Sequence, residues 1–123
     1  MIERVDVTVR TGPFAEAVLP RVISVLSARA GLGVDRVNDA LLLADVLASA
    51  DTGRTSLRVV VERHDEGICV VVPALSAGEA ERLIQGATFD GIGSILDGLA
   101  DRIAVGANGD GEELRVVVGR ENV

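Results

Sequence analysis

The chain has 123 residues, 48% hydrophobic and 25% charged, with a formal net charge of -7. That length suits one domain burying roughly two thirds of its unfolded surface, and that composition excludes disordered and fibrous classes. All twelve basic residues are Arg, so Schiff-base chemistry and a phosphate-binding P-loop Lys are excluded; Phe14 and Phe89 are the only aromatics, which leaves no stacking platform for nucleobases.

The N-terminal segment alternates Val5, Val7 and Val9 with Arg4, Asp6, Thr8 and Arg10, the period of a half-buried strand. From Pro13 to Ala30, Phe14, Ala17, Val18, Val22, Val25 and Leu26 recur at helical spacing. Gly31, Leu32 and Gly33 end that helix. Asp35 or Asn38 caps a second one, which runs through DALLLADVLASAD to Asp51 and is apolar nearly all round, as expected of a buried element. A turn at Asp51–Gly53 leads to a strand at 57–61, and the HDEG turn at 64–67 leads to another at 68–72, closed by Pro73. Ser76 and Glu79 have capping-box spacing for a short helix over 76–86. A further short helix is expected through SILDGLAD, then strands at 103–105 and 114–118 around the turn ANGDGE.

The order β-α-α-β-β-α-α-β-β predicts a single domain over residues 1–123, an α/β (α+β) two-layer sandwich with helices on one face of a mixed sheet. The acidic balance disfavours nucleic acid and anionic membrane as partners. The longest apolar stretch, Ala40 to Ala50, is interrupted by Asp45 and falls far below the roughly 20 residues of a spanning helix. The N-terminal segment shows no signal core, and the lone Cys69 cannot form an internal disulfide; both point to the cytoplasm.

Two segments carry a family resemblance. DGIGSILDGLADRIAV at 90–105 is similar to a glycine-rich lid, short helix and strand, and DALLLADVLASA at 39–50 is similar to a buried helix that displays a Glu and, four residues later, an Asn. On these segments and the element order the chain resembles the histidine-kinase-like (GHKL) ATPase fold, and within it the small anti-sigma-factor serine kinases. The resemblance implies a Mg-ATP site in which the Glu orients the acceptor and the Asn holds the metal.

The matching positions here are Val46 and Ala50, and Pro73 and Ala74 stand where the family has an adenine-reading Asp. Neither pair binds a metal or moves a proton. The resemblance therefore implies a non-catalytic regulator that docks on a sigma factor or an antagonist-type protein, forms a homodimer and needs no cofactor. The alternative is an ATP-dependent serine/threonine kinase with Mg and an altered site built from Asp45, Ser49, Gly91 and Gly93, Asp45 and Ser49 being four apart on one helix face. Asp45 facing an Arg and Ser49 bonding a backbone carbonyl is the structural alternative for that pair.

The remaining polar residues have plainer readings. His64 is a solvated turn residue, with too few His or Cys partners in the chain for a metal site; Cys69 is a small core residue, Ser94 a helix cap, and Asp90, Asp97 and Asp101 belong to a solvated helix face or its caps.

Overall fold

The computed structural model describes residues 3–49, 55–86, 88–89, 93–94, 100–109 and 111–119. In chain order the elements are β1 (Glu3–Arg10), α1 (Pro13–Arg29), α2 (Val34–Ser49), β2 (Ser56–His64), β3 (Gly67–Leu75), α3 (Glu79–Gly86), β4 (Thr88–Phe89), β5 (Gly93–Ser94), β6 (Arg102–Asn108) and β7 (Gly111–Gly119). The main sheet has the order β1-β2-β3-β7-β6, and β4 pairs with β5 separately. Every pairing is antiparallel, so the expected mixed sheet is corrected. Local alternation sets strand type but carries no information on strand direction, which hairpins and crossovers decide.

The two-layer arrangement follows from the alternation. Val59, Val61, Ile68, Val70, Val72, Leu114, Val116 and Val118 are buried on one face, where they form a core with α1 and α2. On α1 the buried stripe is Ala15, Leu19, Ile23 and Leu26, whereas Phe14 and Val25 of the expected stripe are exposed. Many apolar residues surround this helix, so periodicity alone does not choose among neighbouring stripes. α2 is also one-sided: Ala40, Leu43, Ala44 and Leu47 face the core, while Leu42 and Asp45 are exposed, against the expectation of burial all round.

β3 does not stop at Pro73. Its pairing with β7 shifts register between Val72 and Leu75, and Ala74 takes φ 59, a bulge that lets the strand pass a residue without an amide donor. Half of the expected capping box is formed, and the helix starts at Glu79 rather than Ser76: the Ser76 amide donates to Glu79 Oε1 at 2.9 Å, while the Glu79 amide donates to the Ser76 backbone oxygen at 3.0 Å. Glu112 of β7 adds a second carboxylate there, accepting from the Ala80 amide at 2.8 Å, which ties α3 to the sheet. The fourth expected helix falls largely on residues outside the described ones, and Gly93 and Ser94 at its start belong to β5.

No helix among the described residues is long and apolar enough to cross a membrane.

Candidate functional site

The helix that resembles a nucleotide-binding element is α2. Val46 is half-buried and packs against the core, so its position offers no ligand. Asp45 and Ser49 are exposed, and the Ser49 hydroxyl donates to the Asp45 backbone oxygen at 2.6 Å, the carbonyl bond expected on structural grounds. No contact between Asp45 and an Arg is present among the described residues. Gly91 and Ala50 lie outside the described residues, as do Asp90, Ile95, Leu96, Asp97 and Leu99 of the segment that resembles a lid and short helix. Gly93 pairs through its backbone with Phe89.

Asp101 has a definite structural role. Its Oδ1 accepts from Arg36 Nη2 at 3.0 Å and its Oδ2 from the Gly119 amide at 2.7 Å, so it clamps the start of β6 to the end of β7 and to α2.

The densest chemistry lies on the sheet face opposite the helices, at the β2–β3 hairpin. Asp65 and Glu66 form a two-residue turn, so His64 pairs with Gly67 and Glu62 with Cys69. Glu62 and His64 are two apart on one strand and therefore share a face, and the cross-strand partner of Glu62 places Cys69 on that face too. His64 Nε2 lies 3.7 Å from Glu62 Oε1, and one ligand atom from each of Glu62, His64 and Cys69 lies within 4.8 Å of the others. Arg115 of β7 joins them: its Nη1 stands 3.6 Å from Glu62 Oε1 and donates to Cys69 Sγ at 3.8 Å, and its Nε donates to Glu113 Oε1 at 3.2 Å.

The electrostatics of the thiol are opposed. Burial pushes the Cys69 thiol above its ordinary range and the Glu62 carboxylate adds to this, while the Arg115 guanidinium pulls it back. Val60, Cys69 and Val71 make a small second apolar cluster beneath these polar groups. A cleft of about 580 Å³ opens beside them, lined among others by His64, Cys69, Arg102 and Arg115.

His64 is therefore no isolated turn residue, and Cys69 is buried yet borders a cleft. Glu62 and Arg115 escaped the sequence reading. The signal for Glu62 was present in HDEG, because a two-residue loop pairs 64 with 67 and so 62 with 69. Arg115 carried no such signal, since its strand is brought to β3 by a long crossover.

A scan against protein-family models finds no match for this sequence, and a search of curated proteins finds none either.

Proposed function

We propose that this chain is a regulatory binding module of the anti-sigma type, acting by docking on a protein partner, a sigma factor or its antagonist-type regulator, without nucleotide chemistry. The observation that carries the reading is on α2. Where the resembling kinases need a carboxylate and an amide four residues apart, Val46 is half-buried against the core, and the neighbouring Ser49 hydroxyl is bonded to its own helix backbone. A valine at that position lacks the carboxylate that the resembling kinases use there, which supports a loss of nucleotide chemistry. The fold class supports the reading as well, because a five-stranded sheet ending in two edge strands, β1 and β6, offers strand edges to a protein partner or a second copy.

Calorimetric titration with ATP and ADP, with and without Mg²⁺, tests the loss of nucleotide chemistry. The expected result is no binding tighter than the millimolar range, roughly 4 kcal/mol. Micromolar affinity that depends on Mg²⁺ overturns the reading and favours a kinase built on Asp45, Ser49, Gly91 and Gly93. Light scattering across the micromolar range tests self-association, with a concentration-dependent rise towards the dimer mass expected.

A further inference from the structure

The geometry points to a second site, independent of any nucleotide or partner: a zinc-class divalent cation held by the Glu62 carboxylate, the His64 imidazole and the Cys69 thiolate on the sheet face opposite α1 and α2. The donor set is the first argument. One sulfur, one nitrogen and one oxygen suit Zn²⁺, whereas Mg²⁺ and Ca²⁺ demand oxygen throughout.

Preorganisation is the second. Metal–ligand bonds of about 2.0–2.3 Å around a tetrahedral centre separate ligand atoms by roughly 3.3–3.8 Å. Glu62 and His64 already stand 3.7 Å apart, and the whole triplet lies within 4.8 Å. Closing the remaining gap, about 1 Å, takes side-chain rotation and no backbone movement, because the two-residue turn and the ladder of β2 with β3 hold all three Cα positions.

Charge is the third. A thiolate and a carboxylate supply two negative charges against the two positive charges of the ion, so the ion and its ligands are together neutral beside the Arg102 and Arg115 guanidinium groups, and Cys69 releases its proton to solvent as the bond to sulfur forms. Arg115 then keeps its bond to Glu113 as counter-ion and its N–H···S contact as an outer partner of the metal-bound sulfur. The cleft beside the cluster gives an entry path, and a water from it completes the coordination.

The test uses the full chain, reduced, titrated with Co²⁺ as a spectroscopic stand-in for Zn²⁺. Cys69 is the chain's one cysteine, so any thiolate-to-cobalt charge-transfer band in the near ultraviolet reports on it alone. Expected are that band and tetrahedral visible bands, reaching an end point at one equivalent and bleached by equimolar Zn²⁺. Zn²⁺ should also protect Cys69 from iodoacetamide. Variants Glu62→Gln and His64→Gln, each with the parent's circular dichroism, should weaken Zn²⁺ affinity by about tenfold or more, at least the loss typical of removing an outer-shell partner. Absence of the sulfur band in the parent overturns the proposal without recourse to any variant. So does a half-equivalent end point, which signals two chains sharing one ion, or unchanged Zn²⁺ affinity in both variants.

Discussion

Arg36 and Asp101 stand 65 residues apart in the chain and meet through a 3.0 Å bond that joins α2 to the start of β6. Arg36 also donates from Nε to the Gly119 oxygen at 3.0 Å and from Nη1 to Asp39 at 2.7 Å, so a single guanidinium connects a helix, a loop and a strand end. Its side chain is only 4% exposed, against 25% for Asp39 and 40% for Asp101. The planar fork of an Arg suits this work, because it reaches several acceptors at once with a fixed geometry.

Removal of that cation strands two carboxylates and a carbonyl near one another. Arg36→Met is expected to destabilise the fold by about 2 kcal/mol, less than for a fully buried pair because the acids remain partly hydrated. Asp101→Asn, which keeps shape and loses charge, should cost about 1 kcal/mol. Urea unfolding reads both through the midpoint at unchanged slope. Parental stability in Arg36→Met would show that the three contacts contribute nothing net.

Gly67 closes the β2–β3 turn with φ 151, and a Cβ built on it would lie 2.2 Å from the Val118 oxygen and 2.8 Å from the Gly119 Cα. Both neighbours are backbone, so neither swings away. Gly67→Ala should therefore destabilise by roughly 2–3 kcal/mol through clash and strain together, seen as a drop in the thermal midpoint. A variant that melts with the parent would mean that the end of β7 yields freely.

Ala74 is the opposite case. It is exposed and holds φ 59 with a Cβ in the bulge of β3, a conformation that suits glycine. Left-handed strain of about 1–2 kcal/mol is relieved in Ala74→Gly, and the greater freedom of glycine in the unfolded chain takes back part of it. A net gain of about 0.5 kcal/mol is expected in urea unfolding, and a clear loss would contradict the strain argument.

Asp6 and Arg58 form an exposed cross-strand pair, with Arg58 Nε donating to Oδ1 at 3.0 Å and Nη2 to Oδ2 at 2.6 Å. The hydrogen bond from Arg58 is the main reason that the Asp6 carboxyl titrates below its ordinary value, with the charges of Arg58 and Arg4 lowering it further. A depressed carboxyl contributes stability above its unfolded pKa and loses that contribution as the pH falls through the folded value. Arg58→Gln should therefore return the Asp6 titration, followed by NMR, towards ordinary aspartate and remove its share of acid sensitivity. Added salt should shrink the difference, because the pair is exposed.

Short-range signals carried much of the architecture. Alternation made β1 and β2 legible, short apolar runs between turn signals made β3 and β7 legible, Ser76 with Glu79 announced a helix close to the start of α3, and HDEG announced the hairpin that aligns Glu62 with Cys69. These features lie within a few residues of one another, where backbone geometry and side-chain period act directly. The candidate nucleotide residues Asp45 and Ser49 were placeable on one helix, and the bond of Ser49 to the carbonyl four residues back follows from helix geometry alone.

Only the tertiary structure decided which strands lie side by side. The pairing of β3 with β7 brings Arg115 to Cys69 across 46 residues, and the packing of α2 against the sheet makes Arg36 a buried anchor although its sequence neighbours mark a polar first turn. It also chose Leu19 and Ile23 over Phe14 and Val25 as the buried stripe of α1. The physical reason is the same each time. Periodicity says that a residue can face a core, but strand order and helix placement depend on the total apolar area buried and on which distant polar groups find partners, and no local window of sequence contains either.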